Sequence, residues 1–130
     1  MQGLILFAHG ARDPLWAAPL TRLRERIALA APDNPIEVAF LEIMAPDLPT
    51  AAERLIAAGC SALSIVPIFL GQGGHVRRDL AQLVSQLVRA HPEIPVHCAT
   101  AVGEDASVLD AIASYCVAAL TTSEGRHATA

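Results

Sequence analysis

Three side chains that can bind a metal ion or move a proton follow short apolar segments of the sequence. They are His9, Glu42 and His75. Imidazole suits cobalt, nickel, iron and zinc, and a carboxylate adds negative charge to such a site. Two or three protein ligands leave coordination positions open, which indicates metal chemistry or metal transfer rather than a structural metal.

Apolar segments alternate with amphipathic ones along the chain, which predicts the order βαβαβαβα. The predicted strands are residues 3–8, 36–41, 62–70 and 94–98. Strands that alternate with helices form a parallel sheet covered by helices on both faces. Right-handed crossovers permit few arrangements, and we predict a single four-stranded parallel sheet in the flavodoxin-like order 2-1-3-4. One α/β domain is expected over residues 1–120, with a flexible tail over 121–130.

The carboxyl ends of parallel strands share one edge, and ligands bind there near the switch in strand order. His9 follows the first strand, Glu42 the second, and His75 follows the glycine-rich segment after the third. We therefore expect two imidazoles and one carboxylate to meet at this edge.

Each of these residues also has a structural interpretation. His9 could bond the backbone of its own loop, His75 could serve only as a helix-start residue, and Glu42 could be a solvated or capping acid. The remaining histidines are interpreted as structural or incidental: His91, His97 and His127.

Glycines and arginines near these histidines indicate an anionic ligand. Gly73 and Gly74 allow close backbone approach, and the helix behind them offers free N–H groups. Arg77 follows at once, and Arg12 lies near His9. The ligand would carry carboxylates or phosphate. The alternative is a solvated helix face on which Asp79 balances an arginine.

Composition excludes several classes of function. The chain has 130 residues, net charge −4 and 4% aromatic residues, which argues against a nucleic-acid partner. All nine basic residues are arginine, so Schiff-base chemistry and a P-loop lysine are excluded. The three cysteines do not suggest a disulfide framework and are expected to be buried free thiols. Neither a membrane span nor a signal peptide is visible, and we expect a cytoplasmic protein.

Three segments resemble the small sirohydrochlorin cobaltochelatases. They are FAHGARDP at 7–14, FLE at 40–42 followed by Pro46, and PIFLGQGGHVRRDL at 67–80. The resemblance spans about residues 3–120. The two histidine motifs together are specific, although either alone would not be. Ala11 stands where a serine is expected in many relatives.

The resemblance implies a class II chelatase, a lyase that inserts a divalent metal into sirohydrochlorin without ATP or an organic cofactor. Co²⁺ for cobalamin is the first choice of metal, with Fe²⁺ for siroheme and Ni²⁺ as alternatives. The chain would be one lobe of a homodimer, with the tetrapyrrole in a cleft between lobes.

The same resemblance implies roles for individual residues. His9 and His75 would hold the metal, and one of them or Glu42 would accept the pyrrole protons. Arg12, Arg77 and the helix start that contains Gly73 and Gly74 would hold the carboxylates of the macrocycle.

Two other functions stay open. A carrier of metal or tetrapyrrole would use the same site without catalysis. A phosphate-handling enzyme would use His9 as nucleophile, but Ala8 stands where such enzymes tend to place arginine.

Overall fold

A computed structural model describes residues 1–122 of the chain. The strands are β1 (Gln2–Ala8), β2 (Ile36–Phe40), β3 (Ala62–Pro67) and β4 (Val96–Cys98). The helices are α1 (Ala18–Ala30), α2 (Leu48–Ala57), α3 (Gly74–Ala90) and α4 (Ala106–Thr122), with short 3-10 helices at Pro14–Ala17 and Val102–Glu104.

The four strands form one parallel sheet in the order β2-β1-β3-β4, which confirms the predicted topology. Ala8 is paired with Phe40, and Phe7 is paired with Pro67. The strands β1, β2 and β3 therefore end at nearly the same level. The segments that follow them start side by side at one edge, called here the carboxyl edge.

Apolar side chains form a core on each face of this sheet. Ile5 and Phe7 point to one face, where they pack with buried residues of α2 and α3 such as Leu55 and Leu80. On the opposite face Ala8 and Phe40 pack with Leu20 of α1. Full burial of a side chain such as Phe7 stabilises the fold by roughly 1.5–3 kcal/mol. The two cores hold the ends of β1 and β2 from both sides.

Aspartates begin two of the helices, as their positions in the sequence predict. The Asp47 carboxylate accepts a hydrogen bond from the Thr50 backbone N–H at 3.0 Å, and Asp105 accepts one from Val108 at 3.1 Å. Such caps satisfy N–H groups that have no partner inside the helix. The hydrogen bonds from Thr50 favour the charged carboxylate and hold the pKa of Asp47 below its ordinary value.

The last helix, α4, leaves apolar side chains exposed. Leu109, Ile112 and Tyr115 are exposed, and α4 packs mainly against the 3-10 helix at Val102–Glu104. Cys116, which was expected to be buried, is also exposed. Periodicity identifies an apolar face but not what covers it, and within residues 1–122 nothing covers this one.

The end of the chain falls only partly within the described residues. The helix α4 continues to Thr122 and so includes the first two residues of the tail expected over 121–130. Residues 123–130, and His127 with them, lie outside the described residues. In the part of the chain that is described, no helix has the length and apolar character needed to cross a membrane.

Candidate functional site

The backbone places His9 and Glu42 side by side just beyond β1 and β2. The Leu41 N–H donates to the Ala8 carbonyl at 2.9 Å, and the Glu42 N–H donates to the His9 carbonyl at 3.1 Å. These bonds continue the pairing of the two strands past their ends. The His9 Nε2 and Glu42 Oε1 atoms lie 2.8 Å apart. The predicted proximity of these two side chains is present in the structure.

Gly10 permits this close approach of the two loops. Its φ angle is +101°, and a Cβ atom at this position would collide with the carbonyl group of Glu42. Only glycine adopts such a backbone without steric cost. Gly10 is therefore required by the contact that holds Glu42 next to His9.

A tight turn follows Glu42 directly. The Met44 N–H donates to the Glu42 carbonyl at 2.7 Å, and the residue between them, Ile43, has a φ of +69°. This is the geometry of a γ-turn with a positive φ, a rare and strained conformation, and a β-branched residue adopts it at a cost. The turn reverses the chain immediately after Glu42 and fixes that residue at the carboxyl edge.

The hydrogen bond between the two side chains assigns the proton on the imidazole. An ionised carboxylate only accepts hydrogen bonds, so the bond to Glu42 places the N–H on Nε2 of His9. The Nδ1 atom then keeps its lone pair, the form in which imidazole binds a metal. A carboxylate bonded to the far nitrogen also fixes the orientation of the ring. Both side chains are partly exposed, so an ion can reach them.

His75 lies apart from this pair. It is the second residue of α3, its side chain is 80% exposed, and its Nε2 atom lies 3.1 Å from Asp79 Oδ2. In residues 1–122 no three His, Cys, Asp or Glu side chains form a group that could hold a metal. Of the three donors that were expected to meet, only His9 and Glu42 are in contact. Six residues separate β3 from α3, and they carry His75 away from the strand end.

The loop before α3 leaves open space at the carboxyl edge. A Cβ atom added at Gly71, Gly73 or Gly74 would meet no atom of residues 1–122 within 4 Å. Gly73 precedes the helix, and no side chain caps the first N–H groups of α3. Packing within the chain does not require these glycines, and the free N–H groups suit an anionic ligand.

The two predicted substrate-binding arginines differ in their surroundings. The Arg77 Nη2 atom lies 3.5 Å from Glu104 Oε1, whereas within residues 1–122 no ion pair includes Arg12. In the alternative interpretation of this rim Asp79 balances an arginine, but its partner is His75, four residues earlier on the same helix. Sequence reasoning missed Glu104 because its partner is distant along the chain. The spacing of His75 and Asp79 was a usable signal, since residues four apart are neighbours on a helix.

A family comparison matches nearly the whole of this fold. The CbiX family model matches residues 3–118. The chain belongs to the CbiX family. The match covers the four strands of the CbiX chain except Gln2, the first residue of β1, together with His9, Glu42 and His75. It confirms the family expected from the sequence.

Curated relatives of this CbiX chain carry the name sirohydrochlorin cobaltochelatase. The protein from Methanococcus aeolicus is 31% identical over 84 residues, which are 65% of this chain and 59% of the relative. The protein from Sulfolobus acidocaldarius is 27% identical over 110 residues, 85% of each chain. The chain spans 59% and 64% of the length of the relatives from Methanococcus aeolicus and Methanocaldococcus jannaschii.

Solved structures share the fold of this CbiX chain. The putative cobalamin (vitamin B12) biosynthesis CbiX protein from Marinobacter aquaeolei VT8 is 26% identical with a TM-score of 0.81, covering 94% of this chain and 99% of that one. The sirohydrochlorin chelatase SirB from Bacillus subtilis subspecies spizizenii, in complex with cobalt, is 20% identical with a TM-score of 0.76. The match covers 90% of this chain and 50% of SirB, so the fold corresponds to about half of the longer chain.

Proposed function

We propose that this protein inserts a divalent metal, Co²⁺ first among the candidates, into sirohydrochlorin without ATP. The observation that carries the proposal is the hydrogen-bonded pair of His9 and Glu42 on an open edge of the sheet. The pair offers one neutral nitrogen to an incoming ion and a carboxylate next to it. The names of the curated relatives support the same substrate and metal.

Metal insertion requires a site that binds the ion and then releases it. His9 would hold Co²⁺ through Nδ1, while the remaining coordination positions accept nitrogen atoms of the macrocycle. His75 would contribute a second imidazole after leaving Asp79. An exposed side chain at the start of a helix can make this change by rotating its side-chain torsions. Fe²⁺ and Ni²⁺ suit the same donor types and are the alternative substrates.

Insertion also displaces two pyrrole protons, so the site needs a base. Glu42 lies in contact with His9, the residue that would hold the metal. We assign proton acceptance to this pair, because a base acts only within hydrogen-bond reach of the proton. From the pair a proton can pass to water, since both side chains are partly exposed.

The carboxylates of sirohydrochlorin would be held by the cationic groups around the pair. Among residues 1–122 Arg12 makes no ion pair, and the first N–H groups of α3, which Gly73 precedes, have no side-chain cap from that residue. Arg77 would exchange its exposed partner Glu104 for a substrate carboxylate. Gly74→Ala separates this role from folding. Alanine favours the helix at this position, so stability is expected to be kept, while the KM for sirohydrochlorin rises because the added methyl group occupies the space left for the substrate.

The test of this function is an insertion assay with purified protein and metal-free sirohydrochlorin, with Co²⁺, Fe²⁺ and Ni²⁺ in parallel. The absorption change of the macrocycle measures product. We expect many turnovers per protein and the fastest rate with Co²⁺. Binding of sirohydrochlorin and Co²⁺ with no rate above the uncatalysed reaction would refute catalysis and favour the carrier.

We further propose that the protein works in the cytoplasm as a homodimer. The exposed face of α4 supports the dimer, because this 17-residue helix has a single charged residue, Asp110, and carries Leu109, Tyr115 and Val117 at the surface. Contiguous exposed apolar surface of this kind marks an interaction site. A second copy of the chain with the same helix would cover it.

Light scattering tests the dimer with two matched substitutions. Val117→Asp places a charge on α4, where Val117 is 61% exposed, and Leu29→Asp places one on α1, where Leu29 is 86% exposed. The wild type and the Leu29 variant are expected to be dimers and the Val117 variant a monomer. A monomeric wild type would refute the dimer without bearing on the insertion assay.

A further inference from the structure

An apolar groove lies next to the His9–Glu42 pair on the α1 face of the sheet. It has a volume of about 330 Å³ and opens to solvent, and no charged side chain lines it. Its walls come from the end of β1, the segment that leads into α1, and the residue after β3: Ala8, Leu15, Trp16, Pro19, Leu20 and Ile68. Ala8 precedes His9 directly, so the groove and the pair share one stretch of backbone.

Buried residues hold the walls of the groove in place. The Trp16 ring lies against the buried Phe40 ring, with centroids 6.4 Å apart and planes inclined by 55°. The Asp13 carboxylate accepts a hydrogen bond from the Leu15 backbone N–H at 2.9 Å and starts the 3-10 helix that carries both apolar side chains. The surface is therefore formed before any ligand arrives, which lowers the entropic cost of binding.

Exposed apolar side chains concentrate around the same edge. Leu15 is 77% exposed although it is a large aliphatic residue, and Trp16 is also exposed. Ile43 follows Glu42, and Leu70 follows β3; both are exposed as well. Three different loops thus present apolar groups to solvent around His9 and Glu42. Single exposed apolar residues need no explanation, but a cluster at a candidate site indicates a ligand with an apolar face.

We propose that this groove binds the flat face of the tetrapyrrole, with Leu15 and Trp16 as positioning residues that hold the macrocycle over His9. The proposal rests on the function proposed above. It adds a binding surface for the apolar ring of the substrate, which charged residues do not recognise. Sirohydrochlorin is a conjugated ring with carboxylates at its periphery. The groove offers an apolar surface for the ring, and Arg12, three residues before Leu15, offers a cation for the periphery.

Binding of metal-free sirohydrochlorin to matched variants tests this role. Leu15→Ser removes an apolar wall, and Leu29→Ser makes the same change at an 86% exposed position in the last turn of α1, at the opposite edge of the sheet. We expect Leu15→Ser to raise the Kd for sirohydrochlorin about tenfold, because a leucine side chain covered by the ligand contributes about that much affinity. Leu29→Ser is expected to bind as the wild type does. Trp16→Ser should weaken binding in the same way, with recovery in Trp16→Phe.

The insertion assay adds a second measurement, the change in KM relative to the change in kcat. A merely structural role of Leu15 would not raise KM selectively. For Leu15→Ser the KM for sirohydrochlorin is expected to rise by a larger factor than kcat falls, because the groove positions the ring and does not move protons. Co²⁺ binding without the macrocycle is measured in parallel. A matching loss of Co²⁺ affinity would show that the substitution disturbs His9 and would overturn the positioning role.

Three further outcomes are decisive. Equal Kd values for wild type, Leu15→Ser and Trp16→Ser would overturn the groove proposal and leave metal insertion intact. A smaller particle mass for Leu15→Ser with unchanged affinity would show that a second copy covers this surface and would also overturn it. A tenfold loss of affinity in a protein that binds sirohydrochlorin but turns over no metal would support the groove and refute the proposed reaction.

Discussion

Gly10→Ala changes one hydrogen atom to a methyl group at the contact between the two site loops. The backbone at Gly10 has a φ of +101°, and the new Cβ would overlap the carbonyl of Glu42. The loops must separate to relieve the overlap, which breaks the 3.1 Å hydrogen bond from the Glu42 N–H to the His9 carbonyl. We therefore expect two effects, a less stable fold and a weaker metal site.

The free energy of unfolding falls for three reasons. Positive φ for a residue with a Cβ costs about 1–2 kcal/mol, steric overpacking about 1–3 kcal/mol and a lost backbone hydrogen bond about 1 kcal/mol. The expected loss is about 3 to 6 kcal/mol in total, which moves the midpoint of urea unfolding by roughly 2 M. A folded domain has about 5–15 kcal/mol to lose, so a folded but weakened variant is expected.

Gly71→Ala is the matched control, because a methyl group there meets no atom within 4 Å. Its unfolding midpoint is expected to equal or slightly exceed that of the wild type. Co²⁺ titration of both variants then shows whether Gly10→Ala weakens metal binding as well as the stability of the fold. Equal midpoints for Gly10→Ala and Gly71→Ala would refute the close approach of the two loops and with it the basis for pairing His9 with Glu42.

Two stability predictions concern the loop and helix that follow Glu42. Asp47→Ala removes a helix cap and should lower the free energy of unfolding by about 1 kcal/mol at pH 7, while Asp47→Asn keeps most of the stabilisation that the cap provides. Because the pKa of Asp47 is lowered in the folded protein, its stabilising effect is present above the ordinary value of 3.8 and is lost as the pH falls through the folded pKa. The urea midpoints of the wild type and Asp47→Ala are compared at pH 7 and pH 3. A difference between the two proteins that is equally large at both pH values would contradict the predicted pH dependence. Ile43→Gly relieves the positive φ and should raise the free energy of unfolding by roughly 1 kcal/mol. The control Val88→Gly, inside α3, should lower the free energy of unfolding by about as much. A loss of stability in Ile43→Gly would contradict the strained turn.

The sequence was sufficient to predict the part of the site formed by neighbouring strands. His9 and Glu42 follow β1 and β2, which pair side by side in the predicted order, so their contact depends on topology alone. Strand order is restricted by the handedness of crossovers, and strand position by apolar runs, and both can be read from one chain. The caps at Asp47 and Asp105 were likewise predictable, because their hydrogen bonds are local.

The sequence was not sufficient where a loop or an absent partner determines position. The strand predicted over 62–70 ends at Pro67, and the residues after it form a loop whose path depends on contacts with the 3-10 helix at Val102–Glu104. Gly103 donates its N–H to the Phe69 carbonyl at 2.9 Å, a contact that no local pattern indicates. His75 therefore follows a loop whose path strand order alone does not determine. The expected burial of Cys116 was wrong for a related reason, since the sequence shows an apolar residue type but not whether the same chain covers it.

The most direct test of the account is the rate of Co²⁺ insertion into sirohydrochlorin by His9→Ala compared with His97→Ala. His97 is an exposed histidine in the middle of β4, away from the carboxyl edge, and controls for loss of an imidazole as such. We predict a loss of about 100-fold or more for His9→Ala, because the ring serves both as metal ligand and as part of the proton-accepting pair, and no loss for His97→Ala. Equal rates for the two variants would show that metal transfer does not pass through His9.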